Sequence, residues 1–350
     1  MKLAAALILA IFSAAPALGG AGGDALPFLK LDAGARGAAM GGAYCAAGDD
    51  ALSVFYNPAG PALAERKEAL VGHNEWLQEM RNESAAYVHP LGPGLTLFGG
   101  ANLLLSGGMD KYDAAGARTG SFSALEGAVS AGAAAALGRE FYGGAALKFL
   151  TQRADGLSAS AWAGDAGLLK TFGYWRAGVS AANFGSALKL GSRSFPLPLV
   201  LRAGVSRSLP GNFLAAAEAV KAGGSDLAAA LGAEARLTAG PQEYFYFRGG
   251  YKTGRSRYAG TGFTAGIGLT NRDLRVDYAF APYGELGDAH RVTVALSFGA
   301  RRPAETRRRP FRGLPQQRAV KRAVPARQGG SKAPPKKKRA EEKEEVYFMW

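Results

Sequence analysis

From about residue 68 to residue 299, apolar and polar side chains alternate with a period of two, segment after segment. That period puts successive side chains on opposite faces of a strand. The last segment is the clearest: Val292, Val294, Leu296 and Phe298 alternate with Arg291, Thr293, Ala295 and Ser297. Before it, Leu274, Val276, Tyr278 and Phe280 oppose Arg275, Asp277 and Ala279, and Phe263, Ala265, Ile267 and Leu269 oppose Thr264, Gly266, Gly268 and Thr270. Leu227, Ala229, Leu231, Ala233, Ala235 and Leu237 oppose Gly232, Glu234, Arg236 and Thr238; Leu199, Leu201, Ala203 and Val205 oppose Arg202, Gly204 and Ser206. About fourteen segments can be counted: 68–77, 82–90, 93–105, 120–137, 139–152, 157–171, 174–184, 198–208, 211–221, 226–239, 243–253, 261–270, 273–281 and 288–299. Strands of soluble proteins average about 5–6 residues, whereas a tilted strand crossing a bilayer needs about 9–11. Length and alternation together predict an all-β fold, a transmembrane antiparallel β-barrel of about 14 strands, one face toward lipid and the other toward a polar lumen. An even count leaves both ends of the barrel on one side, the periplasmic side in an outer membrane.

Composition agrees. Fifty Gly in 350 residues disfavour a helical bundle, since each costs about 1 kcal/mol in a helix. In the Ala/Gly-rich segments 120–137 and 157–171 the pattern leaves the register open, because a slip of one residue exchanges the faces. Tyr87, Phe141, Tyr142, Phe172, Tyr174, Trp175, Tyr244, Tyr283 and Phe298 gather near strand ends, where barrels carry interfacial aromatic girdles. Glu126, Arg176, Arg202, Glu234, Arg236, Arg275, Asp277 and Arg291 are expected in the lumen, their mixed signs forming ion pairs across neighbouring strands.

The formal charge of +14 is uneven: residues 301–350 hold 16 Lys+Arg against 5 Asp+Glu, so +11 of it lies there. That stretch is rich in Pro, lacks apolar periodicity and reads as a disordered basic tail in the periplasm. Its runs Arg307–Arg309 and Lys336–Arg339 suit lipid phosphates or cell-wall carboxylates, and its aromatic end suits a periplasmic protein. At the other end, Lys2, the apolar run Leu3–Ala15 and Ala17-Leu18-Gly19 read as a signal peptide over 1–19. Export leaves no role for nucleic acid as a partner. The single Cys45 can form neither an internal disulfide nor a cysteine zinc cluster, and His73, His89 and His290 are far apart. No G-x-S-x-G and no metal-ligand spacing occurs, so no catalytic residue, metal or cofactor is assigned and the chain reads as a non-enzyme.

Residues 20–66 differ from the strand segments after them: they are rich in small residues and lack alternation. Asp49-Asp50 can cap a short helix from Ala51 to about Tyr56, which Asn57-Pro58 ends. Such a compact segment can sit inside the barrel, 67–300, as a plug. The run Gly34-Ala-Arg36-Gly-Ala-Ala-Met40-Gly41-Gly42-Ala-Tyr44, with Asp49-Asp50-Ala51 and Asn57-Pro58-Ala59-Gly60, resembles the opening motif of the PorV/PorQ family, itself similar to the wider FadL-like outer-membrane barrels. Asn183-Phe-Gly185, Leu197-Pro198-Leu199 before Arg202-Ala-Gly204, and Arg248-Gly-Gly-Tyr251 agree. So does a closing hairpin, Asp277-Tyr278-Ala-Phe280-Ala-Pro282-Tyr-Gly284-Glu-Leu286-Gly287 with His290-Arg291.

The resemblance covers about residues 27–299 and implies a fourteen-stranded outer-membrane barrel with an N-terminal plug. It implies an association with type IX-like secretion, with exported client proteins or secretion-system components as partners beside the membrane lipid. Loops Leu105–Ser121, Arg153–Leu157 and Gly185–Pro198 would then be the client-gripping candidates. The FadL-like side of the resemblance implies passage of hydrophobic small molecules, for which Phe55, Tyr56 and Trp76 are candidate pocket linings, though plug packing explains them equally.

Overall fold

The computed structural model describes residues 23–92, 94–254 and 260–301. Residues 1–19, expected as a signal peptide, and the residues beyond Arg301, expected as a basic tail, lie outside the described residues. Among the described residues eighteen strands occur in chain order. They are β1 (Lys67–Glu75), β2 (Arg81–Pro90), β3 (Leu95–Leu105), β4 (Met109–Tyr112), β5 (Arg118–Phe122), β6 (Ala124–Gly138), β7 (Phe141–Ala154), β8 (Leu157–Phe172) and β9 (Trp175–Gly185). After them come β10 (Leu188–Leu190), β11 (Arg193–Phe195), β12 (Val200–Leu209), β13 (Phe213–Ala222), β14 (Ala228–Gly240), β15 (Glu243–Lys252), β16 (Phe263–Asn271), β17 (Leu274–Pro282) and β18 (Asp288–Phe298).

Fourteen of these close an antiparallel barrel in the order β1-β18-β17-β16-β15-β14-β13-β12-β9-β8-β7-β6-β3-β2, with β1 pairing β2 to complete the ring. Closure leaves no strand edge, which is what a sheet surrounded by lipid requires. Each segment expected from the alternation falls on one barrel strand. The clearest shift is at 120–137, where β6 starts only at Ala124 because Arg118–Phe122 turns away into the β4–β5 hairpin. A second hairpin, β10–β11, occupies the loop between β9 and β12.

The two ends of the barrel differ. At one end the connections are brief, as at 139–140, 173–174, 241–242 and 272–273; both ends of the barrel chain, Lys67 and Phe298, lie there. The 139–140 turn is of the tight primed kind, with φ 49° at Arg139 and 63° at Glu140, matching the twist of its flanking strands. The other end carries the long connections, including both hairpins. Barrels of outer membranes keep short turns on the periplasmic side.

The faces obey the alternation. Val71, Leu147, Trp162, Leu231, Phe247, Phe263 and Ile267 point outward and are exposed, large apolar side chains on many successive strands of the outer face. Inward lie Arg202, Glu234, Asp277 and Arg291, all buried. The two open registers are resolved too: Val129 and Leu137 of β6 and Trp162 and Leu168 of β8 face out, while Ala134, Ala161 and Leu169 face in. Among the girdle aromatics, Tyr87, Phe141, Phe172, Tyr174, Trp175 and Phe298 are exposed near the short-turn end, and Tyr87 stacks on Phe298 at 6.2 Å. Tyr142 and Tyr244 belong inside instead. The first packs on the plug, and the second lies under the Arg236 guanidinium at 5.1 Å. Tyr283 meets Trp76 edge-on at the long-loop end.

The lumen is filled by the chain's own residues 24–66, most of them buried. Met40, Tyr44, Leu52, Val54 and Tyr56 pack against inward Leu70, Val88, Phe98 and Ala134. The wall accepts this segment's backbone through glycines. A Cβ at Gly144 would overlap the Pro58 carbonyl, and one at Gly250 would overlap Met40 and the Gly41 nitrogen. Gly249, one residue away, faces outward with nothing near it. Gly250→Ala is therefore expected to lower unfolding stability by about 1–3 kcal/mol, the cost of overpacking, while Gly249→Ala stays within about 0.5 kcal/mol of wild type. Urea unfolding of the two variants measures the contrast; equal effects would contradict the assignment of faces.

Candidate functional site

The plug runs the length of the lumen. At the long-loop end the Ala25 amide donates to the Pro196 carbonyl at 2.9 Å, and Lys30 Nζ donates to the Gly223 carbonyl at 2.6 Å. Asp32 comes next, paired with Lys252 at 2.7 Å and Arg202 at 3.5 Å. A one-turn helix, Ala35–Ala39, starts at Gly34, whose φ of 64° suits glycine, and lies against β15–β18. Its first amide is held by Thr293 Oγ1 at 2.8 Å. Gly41 and Gly42 also have positive φ, turning the chain so that the Tyr44 and Cys45 amides both donate to Glu218 Oε2, at 2.9 and 2.7 Å. The segment then descends to the short-turn end, where Asp49 and Asp50 lie.

One continuous ion-pair network joins plug to wall. Arg36 Nε and Nη2 reach both oxygens of Glu234 at 2.8 and 2.9 Å, the two-pronged geometry a guanidinium favours. Its Nη1 meets Asp49 at 3.1 Å and Asp50 at 3.0 Å. Glu234 accepts Arg248 at 2.7 Å, and Arg248 reaches Asp277 at 2.7 Å. Arg275 joins Asp277 at 3.1 Å and Asp50 at 2.9 Å, and Arg176 pairs with Asp49 at 3.0 Å. Beside this network Arg202 pairs with Glu218 at 2.8 Å. These charges are nearly all buried, so each needs its partner: breaking a buried pair from one side costs about 3–5 kcal/mol.

Several expected residues take other roles here. Asp50 stands at the start of a 3-10 turn, Ala51–Phe55, but its side chain makes no capping bond; it serves Arg36, Arg275 and the Tyr44 hydroxyl, which donates at 2.7 Å. The Ala51 amide is held by Glu68 at 2.9 Å instead. Paired buried arginines are worth more to a carboxylate than one amide, and this decides the outcome. Asn57 ties three stretches together: Nδ2 donates to the Cys45 carbonyl at 3.0 Å and the Leu168 carbonyl at 3.2 Å, and Oδ1 accepts the Ala59 amide at 3.0 Å. Pro58 and Gly60 shape the adjacent turn against β7 and Ser53. Of the closing hairpin, Asp277 belongs to the network, Tyr278 bonds His290 on the outer face at 2.8 Å, Pro282 ends β17, and Gly287 turns with φ 101°. Phe55, Tyr56 and Trp76 do not form one pocket. Tyr56 is buried with its hydroxyl on the Ala33 carbonyl at 2.8 Å, Phe55 packs in the same core, and Trp76 stacks under Arg291 at the long-loop end.

Expected lumen residues Arg176, Arg202, Glu234, Arg275 and Asp277 are all in the ion pairs, and Glu126 bonds Gln152 at 3.0 Å nearer the long-loop end. The sequence pattern does not single out Glu218 or Asp32, since each sits among apolar neighbours that hide its face. Among the described residues no cluster of His, Cys, Asp or Glu could hold a metal.

The half of the lumen toward the long loops has a different character. Leu26 and Phe28 are fully buried there against Ala128, Leu150, Ala161 and Ala163 of the wall and Leu188 and Leu197 of the loop. Leu29, Leu31, Leu104 and Phe195 extend the same apolar surface. At this end the plug is held both by this packed apolar cluster and by the Lys30–Asp24 and Asp32–Lys252 pairs.

No protein-family model and no curated protein matches the chain. Solved structures do. The monoaromatic hydrocarbon channel CymD aligns with a TM-score of 0.56 at 14% identity, over 76% of this chain and 98% of its own. The Pseudomonas putida toluene transporter TodX gives 0.52 at 11%, over 75% and 96%. A Pseudomonas aeruginosa FadL homologue gives 0.51 at 10%, over 76% and 100%. The chain thus shares the fold of the FadL-like channels. The narrower likeness to PorV/PorQ barrels gains no support from these comparisons.

Glu218→Ala, which takes from Arg202 the nearer of its two carboxylates and leaves two plug amides unpaired, is expected to cost about 3–5 kcal/mol in urea unfolding, and Glu218→Gln less, since Gln keeps an acceptor. Acid should also loosen the plug. Burial alone would push the Asp32 and Asp49 carboxyls up, but Lys252 and Arg202 beside the first, and Arg176 and Arg36 beside the second, hold both below the usual carboxylate range. Groups with depressed folded pKa stabilise fully above their unfolded value, about 3.9, and lose that contribution as pH falls below it. The thermal midpoint should stay level from pH 7 to about pH 5 and then fall, less steeply in Asp49→Asn; a midpoint flat down to pH 3 would contradict the pairing.

Proposed function

We propose that this protein is an outer-membrane channel for hydrophobic small molecules. The observation that carries the reading is the apolar cluster of plug, wall and loop side chains at the long-loop end of the lumen. A pore for polar solutes lines its lumen with polar groups and water. Here Leu104 and Leu150 of the wall meet Leu26 and Phe28 of the plug inside a barrel otherwise rich in charge. An apolar solute could take the place of those two side chains at little cost in buried apolar area. The shared fold with hydrocarbon channels supports the same reading. The charged lower half then serves as the closed floor, which has to loosen for passage.

A second reading, a secretion-associated protein that binds exported clients, rests on the β4–β5 hairpin. Its strand Met109–Tyr112 is exposed at every residue, Met109 and Tyr112 included, so it offers a surface to a protein partner.

One experiment separates the two. The full chain is purified natively in mild detergent, and both apolar molecules and proteins that accompany it are identified by mass spectrometry. It is then placed in liposomes and given labelled toluene and a labelled long-chain apolar probe. Apolar molecules near one per barrel and uptake above empty liposomes are the expected results. Leu150→Asp, which puts a charge into the chamber, should cut uptake by about tenfold or more while the barrel still folds. Exported proteins in the preparation with no uptake of either probe would overturn the channel reading in favour of client binding.

A further inference from the structure

Below the plug, at the short-turn end, a cavity of about 220 Å³ opens between the plug and strands β9, β12–β15 and β17. Five arginines line it: Arg36, Arg176, Arg236, Arg248 and Arg275. Only two carboxylates, Asp49 and Glu234, share that surface. Asp50, Glu68 and Asp277, which offset the other charges, do not line the cavity. The surface facing the space is therefore cationic.

The guanidiniums are not equally used. Arg36 spends all three nitrogens on Glu234, Tyr44, Asp49 and Asp50. Arg236 has no carboxylate partner among the described residues; its Nη2 donates to Asn212 Oδ1 at 3.1 Å and its plane lies over Tyr244 at 5.1 Å. Arg248 is wholly buried at its side chain, with Nε on Glu234, Nη1 on Asp277 and its guanidinium over the Tyr246 ring at 4.9 Å; its Nη2, without a hydrogen-bond partner, packs beside Gly268. A buried guanidinium N–H left unpaired is costly, and leaving one beside a second arginine without a carboxylate costs more. A stably folded plug has no need of that arrangement.

We infer that this vestibule binds a small oxyanion, of phosphate or carboxylate type, at the guanidinium of Arg236 within this cationic lining. The chemistry fits on three counts. Guanidinium groups match the oxygen geometry of carboxylates and phosphates. The cavity holds about seven water volumes at roughly 30 Å³ each, room for a tetrahedral oxyanion with some of its water. It also opens at the end of the barrel that the short turns assign to the periplasm, where such anions are available. The inference stands apart from the channel reading, since it rests on charge in the lower half and not on the apolar chamber. Bound there, the anion would compete with Asp49 for Arg36 and Arg176, and so would act directly on the pairs that seat the plug.

Isothermal titration of the full chain in detergent, with inorganic phosphate or acetate against chloride at matched ionic strength, tests the site. The basic tail contributes equally in every variant, so differences between variants read the vestibule. Phosphate or acetate should bind in preference to chloride; which of the two binds tells the oxyanion class. Arg236→Gln should weaken that binding about tenfold, the loss of one charged hydrogen bond. Asp49→Asn, which removes a lining negative charge, should tighten it by about threefold or more. These opposite signs are not expected of a general loss of structure. Equal affinity in wild type and Arg236→Gln, or neither anion binding better than chloride, would overturn the inference.

Discussion

The pairing of Arg36 with Glu234 holds the two parts of this molecule together. A barrel wall can satisfy its own backbone by closure, but a plug of small residues inside it cannot supply its own core. Its few side chains, Met40, Tyr44 and Leu52 among them, bury apolar area only by reaching the wall. The plug's backbone lies against wall glycines, and what fixes its position there is charge. From Arg36 the pairs run through Glu234 to Arg248 and Asp277, and through Asp50 to Arg275, touching β14, β15 and β17 in turn. A network of this kind adds little to stability against an apolar replacement, yet removing Arg36 takes from Glu234, Asp49 and Asp50 one of the two arginines that each of them pairs with. Such a floor is firmly seated, and Arg36 is a point at which three of its pairs meet.

The division of the lumen is a consequence of that. Ion pairs occur along the lumen, from Lys30–Asp24 and Asp32–Lys252 toward the long loops to Asp50–Arg275 toward the short turns, and the apolar contacts of Leu26 and Phe28 lie toward the long loops. Charged groups cannot be shared with an apolar solute, whereas Leu and Phe side chains can be exchanged for one at similar buried area. The bulge in β9 belongs to the same design. Asn183, at φ 65°, bonds Lys148 at 2.7 Å and the Pro198 carbonyl at 3.1 Å, and its amide reaches Asp165 at 2.8 Å. That fixes the start of the loop that carries Leu188 and Leu197 into the chamber.

Much of this fold was legible in the sequence. Alternation named every barrel strand, since lipid on one side and protein on the other make the two faces chemically distinct along β12, β14 and β16–β18. It was weakest at β6 and β8, where Ala and Gly serve both faces. The plug was legible as a change in composition, but its contacts were not. Asp49-Asp50 read as a helix cap because sequence shows only neighbours along the chain, while the arginines that claim them come from β9 and β17. Glu218 was hidden because its inward companions Ala216 and Val220 are apolar, the first against the plug and the second against Val200, so no polar face stood out. Tyr142 and Tyr244 read as girdle for want of the one-residue phase that turns them inward. Phe55, Tyr56 and Trp76 looked like one pocket because they are close in sequence, and the chain separates Trp76 from the others by the length of a strand.

The most direct measurement uses Cys45, the chain's single cysteine, which is buried in the plug beside Glu218 and Ser180. Burial pushes its thiol up, so at neutral pH it is inert while the plug is seated. The rate of maleimide labelling at Cys45 then reports how often the plug opens. If buried ion pairs hold the floor, wild-type protein will label slowly. Arg36→Met will label at least about a hundredfold faster, with the barrel still folded by its resistance to protease. An unchanged, slow rate in Arg36→Met would contradict that, and would mean that apolar packing alone keeps the plug in place.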